Sequence, residues 1–337
     1  MADKDRPLIA ITMGDPAGIG PEVVIKALSL KEIYDICRPL LIGESNVTQK
    51  AIDLIQKPLK LHAITEIAET LGQFGTIDIL DLHKPDPKDF KIGQISAACG
   101  GASMEYIEKA MQMALSGEVR AMVTAPINKE ATMLAGYEGL GHLEYISKLT
   151  GTKESATMLA TGNLRCVHLT THHSLREACT LVTKERVLAR LKLTDESFVK
   201  WGFGKPRIAA AGINPHAGEN GMFGMEEIEE IAPAVAEAQK LGINVKGPIP
   251  ADSVFNRAIN GEFDVVLAMY HDQGHIPIKV HGFESSVSVA LGLPLLRTSV
   301  DHGTAYDIAG KGIADAQSMA EAIKVAVSLC QGKGIQG

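Results

Sequence analysis

Three histidines share one sequence context, and imidazole is the side chain that most often ligates a divalent cation near neutral pH. His172 follows the apolar run 166–170, His216 follows 208–212, and His271 follows 265–270. Each comes just past the carboxyl end of a predicted buried strand, the edge where ligand sites gather in open α/β sheets. Three imidazoles brought together there leave a coordination position open, as a catalytic rather than a structural ion requires. A strand-end histidine can also cap its own loop by hydrogen bonding, and no HExxH or paired CxxC spacing decides between the two uses. His168 lies within its strand and reads as a satisfied core residue, while His62, His83 and His281 have no supporting context.

Two glycine-rich strings could meet a ligand. GDPAGIGPE, residues 14–22, sits at a strand–loop–helix junction where a helix N-terminus favours anions, yet it matches neither GxGxxG nor GxxxxGK[ST]. Structural use of its glycines and ligand contact both stay open. In DHGTAYDIAGKG, residues 301–312, glycines permit close backbone approach, and Asp307 is an acceptor suited to ribose hydroxyls. A tight surface loop is the alternative.

The elements that must position these residues alternate. Apolar runs at 8–12, 39–42, 121–124, 166–170, 208–212 and 265–270 predict strands, and 21–28, 101–115, 174–191, 225–241 and 318–329 predict helices. Such alternation predicts an α/β fold with mostly parallel sheets flanked by helices on both faces. Ser174 with Glu177 forms a capping-box signature directly after His172 and His173. At 337 residues the chain exceeds what one core usually holds, so two domains are expected. The glycine-rich stretch 136–141 and the 292–294 segment suggest crossovers. We expect one α/β domain from 1–128 plus 295–337, carrying the cofactor loop. A central α/β domain, 129–294, would carry the metal ligands and the dimer contacts.

A net charge of -7 with no block of like charges argues against nucleic acid as a partner. The longest apolar stretch, 287–296, is interrupted by Gly292 and Pro294 and predicts no membrane span. Five scattered cysteines and no signal-peptide pattern point to a cytoplasmic protein with reduced thiols.

Taken together the strings resemble the 4-hydroxythreonine-4-phosphate dehydrogenase family of pyridoxal phosphate biosynthesis. The resemblance runs through GDPAGIGP at 14–21, GH at 141–142, TTH at 170–172, NPHAG at 214–218, PAD at 250–252, YHDQG at 270–274 and RTSVDHGT at 297–304. It implies a two-domain α/β/α fold like that of isocitrate and isopropylmalate dehydrogenases, whose adenine-binding loop the segment 302–312 also resembles. By motif position it implies metal ligation by His172, His216 and His271, with zinc, magnesium or cobalt as the ion. It implies NAD or NADP at His302, Gly303 and Asp307, and a homodimer whose active site takes residues from both chains. The substrate is then a small, phosphorylated anion held by His142, Lys279 and Arg297. The activity implied is oxidation of the C3 hydroxyl of 4-hydroxythreonine 4-phosphate, followed by decarboxylation of the β-keto acid. Asp252, Asp272 and Lys279 are unranked candidates for the proton acceptor.

Two pocket positions depart from the family pattern: Leu143 stands where threonine is usual, and Ser288 where asparagine is usual. Both leave the substrate open. Alternatives are a paralogue acting on D-erythronate or D-threonate 4-phosphate and a relative oxidising a dihydrodiol of an aromatic dicarboxylate. From a different class, phosphate acetyltransferases share the fold and need neither metal nor nicotinamide.

Overall fold

The structure is a computed structural model that describes residues 6–85 and 88–335. The chain divides into two compact units, Met1–Thr152 with Leu293–Cys330 and Lys153–Gly292 with Gln331–Gly337. The first unit begins with β1 (Leu8–Thr12), α1 (Gly20–Leu28), α2 (Lys31–Ile36), β2 (Arg38–Gly43), α3 (Ser45–Ile55), β3 (Lys60–Ile64) and β4 (Thr76–Asp81). It continues through α4 (Ala97–Leu115), β5 (Ala121–Thr124), α5 (Lys129–Leu134) and α6 (His142–Thr150).

The second unit holds β6 (Ala156–Thr161), β7 (Leu164–His168), α7 (Leu175–Thr180), α8 (Lys184–Lys200), β8 (Ile208–Ala211), α9 (Ala232–Lys240) and β9 (Val245–Ile249). Then come α10 (Ala251–Ile259), β10 (Val265–Ala268), α11 (His271–Gly282) and β11 (Val287–Leu291). The chain returns to the first unit with β12 (Arg297–Val300) and α12 (Gln317–Cys330).

Strands of the first unit run in the order β3-β4-β2-β1-β5-β12, and every neighbouring pair is parallel. β1 and β5 are buried along their whole length, as strands covered by helices on both faces must be. In the second unit the order is β11-β6-β7-β10-β8-β9. β7, β10, β8 and β9 are parallel, whereas the tight β6–β7 turn and β11 make antiparallel pairs. Its core gathers Leu159, Cys166, Ala209, Phe255, Val266 and Ile278, with small residues on β8 and β10.

The division falls at Thr152/Lys153 rather than 128/129. Asn128 caps α5 by accepting from the Ala131 amide, and Tyr145 on α6 donates to Glu108 on α4, so both helices pack with the first unit. At the other end, residues 331–337 group with the second unit because Arg165 donates to the Ile335 carbonyl and the Gly334 amide to that of Trp201.

Two expected helices differ in detail. The 174–191 span is two helices, because Thr183 caps a fresh start by accepting from the Arg186 amide. The 225–241 span opens as a π turn, Glu227–Ile231, before α9. Among the described residues no helix is long and apolar enough to cross a membrane.

Candidate active site

In the second unit β7, β10 and β8 are adjacent and parallel, so their carboxyl ends share one edge. His271, His172 and His216 follow these strands by three, four and five residues. The three connections are laced together. Thr170 donates its hydroxyl to the Met269 carbonyl at 2.8 Å. Gln273, buried in the first turn of α11, accepts from the Met269 amide at 2.7 Å and donates to the Gly212 carbonyl at 2.7 Å. One side chain thus fixes the start of α11 against the ends of both β10 and β8.

α11 lies close against β7 because residue 274 is glycine: a Cβ there would stand 2.3 Å from His168 Nε2 and 2.5 Å from Cys166 Sγ. This approach aligns a row of rings. His275 stacks on His271 with centroids 3.5 Å apart, and its Nδ1 is 3.1 Å from His168 Nε2. His168, expected to be a satisfied core residue, is buried as expected, but its Nδ1 has no partner. Burial pushes its pKa down to about 3, with the neighbouring His275 and His271 adding to the effect.

The rings of His172 and His271 lie 6.1 Å apart across a cleft of about 340 Å³ lined also by Thr171, His173, Tyr270 and Asp272. Asp272, a candidate proton acceptor in the sequence, places Oδ1 2.7 Å from His271 Nδ1. A carboxylate on one imidazole nitrogen fixes the ring and leaves the other free to ligate, the usual outer partner of a metal histidine. Ser174 accepts from the Glu177 amide at 3.2 Å, as its capping signature predicts; the Glu177 carboxylate pairs with His173 instead of closing the box.

His216 does not join this pair within the chain: among the described residues no group of three His, Cys, Asp or Glu side chains is arranged to hold a metal ion. The expected convergence of three imidazoles is therefore not found in a single chain. The loop that carries His216 has an unusual backbone. Residues 216–220 all have positive φ, a left-handed turn that includes four non-glycine residues, and the His216 ring lies against Phe223 at 6.4 Å. Left-handed backbone costs about 1–2 kcal/mol per ordinary residue, so such a run persists only where its surroundings impose it. Imidazoles, one of them tied to a carboxylate, suit a borderline divalent ion, so the donor chemistry fits a metal while no set of three is assembled among the described residues of one chain.

The first unit builds a different kind of site. Arg297 is only 4% exposed, and its Nε and Nη2 donate to Thr124 Oγ1 at 3.1 and 2.7 Å. Thr124 donates in turn to Ser299 Oγ. No carboxylate forms an ion pair with this guanidinium among the described residues, and burial draws its pKa down to about 10. His142 opens α6 with Nε2 closed off from solvent and unpartnered. Burial, then the positive charges of Arg297 and Lys129, hold its pKa well below the usual range, against a hydrogen bond to the Ala125 backbone. The Glu144 carboxylate acts on the guanidinium through its charge, opposing the effect of burial, and a cation so buried beside an unsatisfied imidazole has capacity left for an anion.

The remaining predicted residues are dispersed. Leu143 is half-buried beside His142, and Ser288 is half-buried on β11 opposite Leu159. Lys279 on α11 donates to Ser286 at 3.3 Å and lies over the Phe283 ring. Asp252 is exposed in the first turn of α10. In the loop after β12, His302, Gly303 and Asp307 are exposed, and Gly303 has open space around its Cα.

Sequence reasoning missed the supports of that loop. Fully buried Asp15 accepts from Tyr306 at 2.6 Å, and buried Glu22 accepts from the amides of Gly312 and Ala314. The GDPAGIGPE string is thus occupied by the chain itself. Gly18 lies so close to Thr304 that a Cβ would meet its carbonyl at 2.9 Å. Its structural reading holds, and the signal was present in two carboxylates inside an otherwise apolar junction.

Two α/β units built mostly on parallel strands, with imidazoles beyond the strand ends of the second, make a fold that solved structures share. A β-decarboxylating dehydrogenase from Thermococcus kodakarensis shares it at a TM-score of 0.51 and 15% identity, over 95% of this chain and 83% of that one. The chain belongs to the family described as "Pyridoxal phosphate biosynthetic protein PdxA", whose profile matches residues 35–326. It is 48% identical over 321 residues to a Halalkalibacterium halodurans protein with the provisional name D-threonate 4-phosphate dehydrogenase, covering 95% of this chain and 96% of the relative. The crystal structure of 4-hydroxythreonine-4-phosphate dehydrogenase from Klebsiella pneumoniae superposes with a TM-score of 0.89 at 42% identity, over 96% of this chain and 100% of that one. The chain is accordingly an oxidoreductase of the dehydrogenase kind.

Proposed function

We propose that this enzyme oxidises the C3 hydroxyl of a four-carbon acid bearing a 4-phosphate, with loss of the carboxyl group as carbon dioxide, and that D-threonate 4-phosphate is its substrate. The observation that carries the reading is the buried Arg297 guanidinium, in no ion pair among the described residues, near His142, whose pKa is held well below the usual range. Arginine offers a planar fork of donors that matches phosphate oxygens. Leu143 supports a C2 hydroxyl over the C2 ammonium of 4-hydroxythreonine 4-phosphate. An ammonium needs acceptors around it, and leucine provides none where the family pattern has a hydroxyl. The D-threonate name of the relative cited above supports the same choice. The 42% identity to the Klebsiella enzyme keeps 4-hydroxythreonine 4-phosphate as the second reading.

His172, His216 and His271 would hold a divalent cation, and Asp272 would orient His271. Such a cation supplies Lewis acidity towards hydroxyl and carboxylate oxygens. Because one chain leaves the set incomplete, we assign its completion to a second copy in a homodimer. Exposed apolar side chains beside these histidines support that partner: Ile276 and Val280 on α11, Phe283 just after it, and Met222, Phe223 and Met225 after His216. NAD would lie on the loop of His302, Gly303 and Asp307, where it accepts the hydride. The exposed Asp307 carboxylate favours NAD over NADP, because it accepts from ribose hydroxyls and repels a 2′-phosphate. Lys279 and Asp252 are the candidates to take the hydroxyl proton.

A substrate panel tests the proposal. D-threonate, D-erythronate and 4-hydroxy-L-threonine 4-phosphates would be assayed with each nicotinamide and each of zinc, magnesium and cobalt, following NADH or NADPH. D-threonate 4-phosphate with NAD should give the highest kcat/KM, at least about tenfold above the amino acid. No turnover of any phosphorylated acid would overturn the reading.

A further inference from the structure

The loop bearing His216 is held from beneath by one residue, and nothing in the sequence motifs assigns that residue a role. Glu227, in the π turn after the loop, is 2% exposed. Its Oε1 accepts from the Ile213 and Asn214 amides, each at 2.7 Å, and its Oε2 accepts from Asn214 Nδ2 at 2.9 Å. The same Asn214 Nδ2 also donates to Glu226 at 2.7 Å. On the far side of His216, a Cβ added to Gly218 would stand 2.7 Å from Glu227 Oε2. The carboxylate therefore grips the chain just before Pro215-His216 and abuts it just after. His216 itself, with φ 54 and ψ 27, sits in the left-handed run between these two contacts.

We infer that Glu227 is a positioning residue for a cation ligand: it fixes the left-handed turn that presents the His216 imidazole. The inference rests on the proposed role of His216 in cation binding. A buried carboxylate whose acceptor sites are filled by two backbone amides and one side-chain amide is rigid, and it transmits that rigidity to Ile213 and Asn214, which lead through Pro215 into the ligand. No proton transfer or contact with substrate is assigned to it.

The prediction concerns metal binding, not turnover alone. In Glu227→Gln the carboxamide nitrogen replaces an acceptor, so at least one of the contacts that Ile213 N, Asn214 N and Asn214 Nδ2 make with residue 227 is lost. Cobalt(II) titration of the metal-free dimer, followed by its d–d absorption and by calorimetry, should show affinity weakened about 10–100-fold, the usual cost of losing an outer partner of a metal ligand. The metal-free variant should unfold near the wild-type temperature, and cobalt should raise that temperature less than in wild type. Glu226→Gln, which leaves the carboxylate of residue 227 in place, should retain most of the affinity.

His216→Ala serves as the reference. If it binds cobalt weakly while Glu227→Gln binds as tightly as wild type, the inference is overturned and the cation reading stands. If His216→Ala itself binds cobalt like wild type, the cation reading falls and the inference falls with it. A Glu227→Gln protein that is less stable without metal yet retains wild-type affinity and spectrum would reduce residue 227 to a structural contact. That outcome also overturns the proposal.

Discussion

Around Arg297 the first unit keeps a positive charge almost out of water, near a histidine whose pKa is held well below the usual range, and hydrogen-bonds the guanidinium to Thr124. The strand-tip edge of the second unit is the reverse: His172 and His216 are exposed, His271 is half-buried, and the three rings do not converge. The buried guanidinium of the proposed anion site carries its desolvation cost within one chain before any ligand arrives. The imidazole edge costs little in one chain and is unfinished. On the proposed function, anion binding would then be a property of one chain's interior, whereas cation binding would depend on what covers the edge.

The largest effect that would break this contrast is at His216. Replacing it by alanine should lower turnover at least about 1,000-fold, since loss of Lewis acidity removes several kcal/mol of barrier lowering. The unfolding temperature of the metal-free protein should stay close to wild type, because the side chain is exposed. Steady-state kinetics alongside calorimetry would check both halves.

Arg297→Met should act the other way on stability. We expect kcat/KM for the phosphorylated substrate to fall about 100-fold, mainly through KM, while the ligand-free protein is as stable as wild type or about 1 kcal/mol more so. Inorganic phosphate should raise the melting temperature of wild type and leave that of the variant unchanged. A variant less stable without ligand would mean the guanidinium is structural.

The smallest effect is on pH dependence. His142 and His168 have folded pKa values below the ordinary histidine value, so the unfolded chain binds more protons and stability rises with pH. Stability is complete above the unfolded value and is lost as pH falls below about 6.5. His168, with its pKa near 3, should contribute a loss of about 2 kcal/mol at pH 5. Urea unfolding at pH 7.5 and pH 5 of wild type and His168→Asn would measure it; an equal pH dependence in both would remove His168 as the cause.

The parts of this picture legible in the sequence are those carried by local pattern. β1 and β5 match their expected bounds, because buried parallel strands read as unbroken apolar runs. α11 was not expected. It starts at His271 immediately after β10, carries Pro277 inside, and buries only Gln273, Gly274 and Ile278, so its pattern resembles a polar loop. β3 was missed for a similar reason: it lies at the end of the strand order and buries only Ile64.

Among site residues, the histidines were visible because three strings repeat one context. Arg297 and His142 were visible only through family resemblance, since neither spacing nor periodicity brings residue 124 to residue 297. Asp15 and Glu22 were marked only by their place in an otherwise apolar junction, and Glu227 was invisible because a buried carboxylate that serves backbone amides has no sequence signature apart from the fold that buries it.

The central claim, that the cation site is completed between two chains, is tested most directly by mixing inactive variants. Any division of three ligands between two chains separates His216 from His172, from His271, or from both. Refolded or co-expressed mixtures of His216→Ala with His271→Ala, and of His216→Ala with His172→Ala, should therefore include at least one pair that regains about a quarter of wild-type activity, half the dimers being mixed with one intact site each. If neither mixture exceeds its inactive parents although mixed dimers are present, the ligands come from one chain and the account is wrong.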